Sequence, residues 1–185
     1  MILGLTGTNA SGKSTVAKYF VKKGFAYYSL SDELRALLKK RKIPATRENL
    51  IEAGKHYRER YGNGYLAAVV AKKIGKKKAV VDSIRNLGEV AELRKIKGFI
   101  LIAVDAPVKM RFERARKRMS RRDQKTFFEF TAKEKEELHG KGAGQQIAAC
   151  MKKADFKINN NLSLGNLYKK MEATLRKIGK KANHA

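Results

Sequence analysis

Nine residues near the start of the chain, GTNASGKST at positions 7–15, carry the spacing of a phosphate-cradling loop: a glycine, four residues, then Gly-Lys-Ser. Glycines at 7 and 12 let the backbone turn so that successive N–H groups face inward onto phosphate oxygens. A helix opening at Lys13 adds the partial positive charge of its N-terminus. Lys13 has the reach for the β- and γ-phosphates of a nucleoside triphosphate, and the Ser14 hydroxyl suits Mg²⁺. The expected ATP contacts are therefore Gly7, Asn9, Ala10, Ser11, Gly12, Lys13, Ser14 and Thr15. The run MILGLT precedes the loop, and Val16, Ala17, Phe20 and Val21 follow on one side of a helical pattern. Strand, loop, helix is the context in which such a loop works.

A phosphate loop alone does not separate switches, motors and kinases. Further charged residues fall where strands are expected to end. SLSDELR places Asp32 and Arg35 at one such end, and VVDSIRN places Asp82 and Arg85 at another. A carboxylate in the position of Asp82 holds Mg²⁺ through water; Asp105, also at a strand end, is the rival for that role. In plainer terms, Asp32 favours a first helical turn and Asp82 caps a turn.

Between 107 and 122 two stripes separate. Val108, Phe112, Ala115 and Met119 form an apolar face, and Arg111, Arg114, Arg118 and Arg122 a basic one. Arginines four apart present two planar forks side by side, suited to bidentate phosphate contacts. Phosphoryl transfer needs such cations, because charge spreads over the moving group. The expected catalytic cations are Lys13, Arg85, Arg114 and Arg118, with Arg114 also on ATP. A solvated basic helix face is the alternative.

Periodicity predicts the elements that hold these residues. Strands are expected at 1–6, 25–30, 78–83, 99–105 and 155–160, and helices at 13–22, 32–40, after Pro44 with Thr46 as N-cap, and at about 65–75, 86–96, 107–119, 131–139, 143–152 and 163–178. The alternation predicts an α/β fold: a five-stranded parallel sheet with helices on both faces. Residues 31–75 hold helices and no strand, and 119–130 has no clean period, so both are read as insertions over the carboxyl edge of the sheet. The expected division is a single domain with core 1–30, 76–118 and 140–178, an acceptor-binding insertion at 31–75, and a lid at 119–139 carrying Arg121 and Arg122. Arg58, with Tyr57, Tyr61 and Tyr65, is expected to line the acceptor pocket. The acidic KEKEE at 133–137 is expected to form ion pairs within its helix.

Composition narrows the class. Forty-three Lys and Arg against 17 Asp and Glu give a net charge of +26. That excess attracts polyanions, and weak nucleic-acid association is expected from it. The basic runs are scattered over helix ends and loops, with no aromatic residues interleaved for stacking. The single cysteine, Cys150, forms no internal disulfide and is expected to pack in a helix. No apolar stretch reaches the length of about 18 residues that spans a bilayer. A cytoplasmic protein with no membrane partner is expected.

With GTNASGKST, SLSDELR, DSIRN and the Arg114–Arg118 pair on the page, the chain resembles the nucleoside and deoxynucleoside monophosphate kinases. The resemblance implies that Asp32 and Arg35 help bind the acceptor nucleotide and that Arg85 grips its phosphate. It also implies that Arg114 and Arg118 lead into a mobile lid and contact the transferring phosphates, with Ser14 and Asp82 on Mg²⁺. ATP and a small phosphorylated acceptor would be the partners. The opening loop and ADFKINN near the end are also similar to dephospho-coenzyme A kinases, whose acceptor is a hydroxyl needing a carboxylate base. Those enzymes carry Asp-x-Asp after the second strand, where this chain has Ser29 and Ser31, leaving Asp32 as the remaining carboxylate. An ATP-gated RNA- or ribosome-binding module is the reading from a different class.

Overall fold

The computed structural model describes residues 1–118 and 126–182; Arg121 and Arg122, expected in a lid, lie outside the described residues. Five strands form one all-parallel sheet: β1 (Ile2–Thr6), β2 (Ala26–Ser29), β3 (Ala79–Asp82), β4 (Phe99–Asp105) and β5 (Phe156–Asn159), in the spatial order β2-β3-β1-β4-β5. Leu3 lies beside Val80 on one side and Ile100 on the other. The expected fold class is the observed one.

Successive strand residues point to opposite faces, and the two cores divide the chain accordingly. Ile2, Ala79, Val81 and Leu101 face α4 (Tyr65–Ile74), α5 (Leu87–Arg94) and α8 (Ile147–Lys152), packing on Leu66, Val70, Leu93 and Cys150. Leu3, Leu5, Val80, Ile102 and Val104 face the other way, onto Val16, Ala17 and Phe20 of α1 (Lys13–Lys22) and Leu167, Met171 and Ile178 of α9 (Leu164–Ala182). Burial on both faces is why these strands read as continuous apolar runs. Cys150 packs in a helix, as expected, and burial pushes its thiol up to about 12, so it stays protonated.

The remaining helices stand over the carboxyl edge. These are α2 (Leu30–Lys40), α3 (Arg47–Tyr61), α6 (Val108–Arg118) and α7 (Phe127–His139). Three local expectations are corrected. Helix α7 begins at Phe127 and not near 131, because Thr126 and Glu129 form a reciprocal capping box. The helix expected at 143–152 starts only at Ile147; glycines at 140, 142 and 144 keep the preceding segment out of helix, Gly142 at φ +55°. Val21, placed on the buried side of α1, is exposed. Among the described residues no helix is long and apolar enough to cross a membrane.

Phe20 is fully buried between the sheet and α9. Phe20→Ala is expected to lower unfolding stability by about 3–5 kcal/mol through lost transfer energy and a residual cavity, measured by urea denaturation.

Candidate active site

The phosphate loop is held from three sides. Gly7 has φ +135°, and a side chain there would run into the backbone carbonyl of Val104. Gly12, at φ +102°, leaves room for the Asn160 side chain, whose Nδ2 donates to the Ser11 carbonyl at 2.8 Å. Thr8 Oγ1 donates to Asp105 Oδ1 at 2.6 Å. Helix α1 starts at Gly12 with no side-chain cap and no acidic residue in its first turn, so its N–H groups face the loop without a competing carboxylate.

Lys13 spans this loop. Its Nζ donates to the carbonyls of Gly7 and Thr8 at 2.9 and 2.7 Å. Burial pushes the ammonium down from 10.5 to about 8; Asp82 and Glu137 oppose that shift, and Arg85 and Arg111 add to it. Arg114 reaches the loop through Asn160, donating from Nη2 to the Asn160 carbonyl at 3.1 Å. Its Nη1 is buried with no hydrogen-bond partner, as is Ser11 Oγ inside the loop. Unpaired buried polar groups of this kind are costly, and phosphate oxygens at the loop would give them acceptors. Arg118 is exposed at the end of α6.

Past the ends of β2 and β3 lies a cavity of about 60 Å³ lined by Arg35, Arg47, Arg58, Arg85, Ser83, Glu89 and Gln145. Its four arginines differ in what they already hold. Arg58 is committed: Nη1 pairs with the buried Glu89 at 3.1 Å and Nε donates to the Ala143 carbonyl at 2.6 Å. Burial raises the Glu89 carboxyl, and Arg58 opposes that rise. The Arg85 guanidinium hydrogen-bonds to the neutral Gln145 Oε1 at 3.1 Å and forms no ion pair among the described residues, while its backbone N–H donates to Glu89 Oε2 at 2.7 Å. Burial pushes its guanidinium down, countered chiefly by the charge of Glu137. Arg35 pairs at the surface with Asp32 at 2.6 Å, so Asp32 turns to its own helix and does not line the cavity.

Two carboxylates that sequence reasoning assigned to pairs along their own helix reach across the cleft instead. Glu134 of α7 pairs with the buried Arg111, and Glu137 pairs with Arg47 of α3, Nε donating to Oε1 at 2.9 Å. Arg111 thereby leaves the basic stripe expected of it, since Nε also donates to the Ala106 carbonyl at 2.6 Å. Only Lys133–Glu136 behaves as a local pair. The glycine-rich segment before α8 is strapped down by Arg58, by Asn86 Nδ2 on the carbonyls of Gly142 and Gly144, and by Gln146 N on the Arg85 carbonyl. Tyr57, Tyr61 and Tyr65 stack on one another, with Tyr61 and Tyr65 centroids 4.7 Å apart, and none lines the arginine cavity.

Asn160, Glu134, Glu137, Arg47 and Gln145 were missed as site residues. The T-x-x-E box starting α7 was a readable signal for that helix, but nothing local showed which acids on it turn inward. For Mg²⁺, the fold family's usual ion, the donors fit. Ser14 stands exposed at the helix start, and buried Asp82 uses Oδ1 on the Ser83 N–H at 2.6 Å while Oδ2 accepts no hydrogen bond among the described residues. Hydroxyl and carboxylate oxygens are hard ligands of the right kind. Asp105, the rival, accepts from Thr8 and the Ala106 N–H on Oδ1, and its Oδ2 likewise accepts no hydrogen bond among the described residues.

Comparison with known proteins follows the same lines. Residues 3–139 match a family described as an AAA domain. A UPF0200 protein of Pyrococcus horikoshii is 37% identical over 186 residues, covering 96% of this chain and 97% of its own length. A shikimate kinase structure from Aquifex aeolicus superposes with a TM-score of 0.59 at 15% identity, covering 100% of each chain. A gluconokinase from Sinorhizobium meliloti gives 0.59 at 13%, covering 98% of this chain and 95% of its own. These likenesses establish the P-loop kinase fold. The chain belongs to the UPF0200 family and, over residues 3–139, to the AAA domain family.

The lowered Lys13 pKa makes nucleotide affinity pH-dependent. Below about pH 8 the ammonium is charged before and after binding. Above that value the free protein must take up a proton to hold the triphosphate, whose charge raises the lysine pKa again. ATP affinity is expected to fall above about pH 8, by up to about tenfold per unit, and Lys13→Met is expected to flatten this dependence in calorimetric titrations.

Proposed function

We propose that this UPF0200 chain is an ATP-dependent phosphotransferase that moves the γ-phosphoryl group of Mg·ATP to a nucleoside or deoxynucleoside monophosphate. The observation that carries this reading is Arg85. It is a half-buried cation whose guanidinium has no carboxylate partner among the described residues, in one cavity with Arg35 and Arg47, and its charge bears on the Lys13 ammonium. A half-buried guanidinium left without a counter-charge is unfavourable, and an acceptor phosphate is an anion that its planar fork grips through two oxygens. The likeness to structures named shikimate kinase and gluconokinase supports kinase chemistry and leaves the acceptor open.

In this reading the loop from Gly7 to Thr15 holds the ATP phosphates, and Arg85 with Arg35 holds the acceptor phosphate. An acceptor oxygen attacks the γ-phosphorus, the bond from that phosphorus to the β–γ bridging oxygen breaks, and ADP leaves with the electron pair. The acceptor is already largely dianionic at pH 7, its second pKa being about 6, so no base is required. Lys13, Arg85 and Arg114 stabilise the charge spreading over the transferring group, and Arg118, exposed at the end of α6, joins them. Ser14, with Asp82 through water, would hold Mg²⁺, which neutralises charge on the β- and γ-oxygens. Arg58 serves the acceptor indirectly, fixing α3 against α5 through Glu89. Asp32 lies outside the cavity, which counts against the hydroxyl-acceptor alternative that needs it as base.

The test is ADP formation from Mg·ATP over a panel of ribo- and deoxynucleoside monophosphates, dephospho-coenzyme A and a blank. Turnover on one or a few monophosphates is expected, and turnover on dephospho-coenzyme A alone would refute the acceptor class. Lys13→Ala is expected to abolish transfer while the circular dichroism melt is unchanged. Arg85→Ala should lower kcat/KM for the acceptor by about 10²–10³.

A further inference from the structure

Glu137 is a carboxylate in the wrong place for a simple surface helix. It is 4% exposed and its Oε1 is held by Arg47. Arg47 lines the cavity that Arg85 lines, and the charge of Glu137 favours the charged forms of both Arg85 and Lys13. Helix α7, on which it rides, is pinned by Glu134 to Arg111 of α6 a turn earlier. Arg47 Nη2 lies 2.7 Å from the same Glu137 oxygen without hydrogen-bond alignment and has no other partner. Glu137 Oε2 accepts no hydrogen bond among the described residues. The pair is thus electrostatically matched and geometrically incomplete.

We infer that Glu137 is a built-in stand-in for the acceptor's anionic group: it neutralises Arg47 until an acceptor phosphate displaces it, and so selects dianionic acceptors. The inference rests on the phosphotransferase reading above. Arg47 and Arg85 are half-buried like charges lining one cavity, and an anion between them is favoured. A single carboxylate meets that need with one negative charge. A phosphate dianion bridging Arg85 and Arg47 brings two charges and more acceptor oxygens, and takes the guanidinium over. A monoanion brings no more charge than Glu137 and gains nothing by replacing it. Once released, Glu137 faces the bound dianion and is repelled, so the last turn of α7 loosens while Glu134 keeps its middle attached. The same contact closes the cleft to water while the acceptor is absent, limiting idle ATP hydrolysis.

The test uses inorganic phosphate as probe on protein saturated with Mg²⁺ and β,γ-imido-ATP, so that the phosphate loop is already filled. Glu137→Gln is expected to bind phosphate about tenfold more tightly than wild type, because the competing charge is gone. Acetate should bind the variant and not the wild type. With the acceptor found in the panel, the variant's KM should fall and its acceptor-independent ATP hydrolysis should rise. A kcat loss of about 10²-fold or more at unchanged KM would instead make Glu137 a base for a hydroxyl acceptor and overturn the inference. Should Glu137→Gln fold poorly, the wild type decides alone. Phosphate should accelerate amide exchange in residues 134–139, and phosphate binding without that change would refute displacement. If β,γ-imido-ATP itself does not bind, the phosphotransferase reading has failed and not merely the role of Glu137.

Discussion

The structure is organised around a concentration of positive charge that cannot stand unbalanced. Lys13, Arg47, Arg58, Arg85, Arg111 and Arg114 converge over the carboxyl edge of β1, β3 and β4. Arg58 and Arg111 are buried and the other four partly so, and a cation drawn out of water needs an anion or carbonyl. The chain answers with Glu89, Glu134 and Glu137 from two helices distant in sequence, and with the carbonyls of Gly7, Thr8, Ala106, Ala143 and Asn160. Among the described residues the Arg85 guanidinium has only the neutral Gln145 oxygen and Arg114 Nη1 has no partner, which is why the reading converges on phosphate.

The same balance explains why α7 and the segment before α8 lie across the cleft. Neither rests on a large apolar surface of its own: α7 buries Phe130 and two glutamates, and Phe112 meets Phe127 and Phe130 edge-on. Ion pairs and main-chain contacts decide their placement. Contacts of that kind exchange partners when another anion arrives, whereas the sheet cores do not. The rigid part of the molecule therefore positions Lys13, Asp82 and Asn160, and the exchangeable part carries Glu137 and Gln145.

What was legible in the sequence follows from the range of the forces involved. The five strands and the loop were readable because apolar runs and the Gly-x-x-x-x-Gly-Lys-Ser spacing are local signals. Arg85 and Arg114 were readable as cations near a strand end or on a helix. The stacked Tyr57, Tyr61 and Tyr65, the outward turn of Asp32 and the commitment of Arg58 were not, because each is settled by a neighbour elsewhere in the chain. Asn160 shows the limit most clearly. Its motif was noted, yet its bridge from β5 to Ser11 becomes visible only when β4 and β5 lie side by side. KEKEE misled for the same reason: charge patterning along one helix says nothing of Arg47, 90 residues away.

The central claim is that loop and arginines together form a site for a phosphoryl group in flight. The most direct measurement is the affinity of Mg·ADP with and without tetrafluoroaluminate, a planar stand-in for the transferring group, in the presence of a monophosphate. The account predicts that fluoroaluminate tightens ADP binding by about 10²-fold or more, with a further gain from the monophosphate that Arg85→Ala removes. ADP affinity indifferent to fluoroaluminate and monophosphate alike would mean that the cleft holds nucleotide without being built to transfer its phosphate.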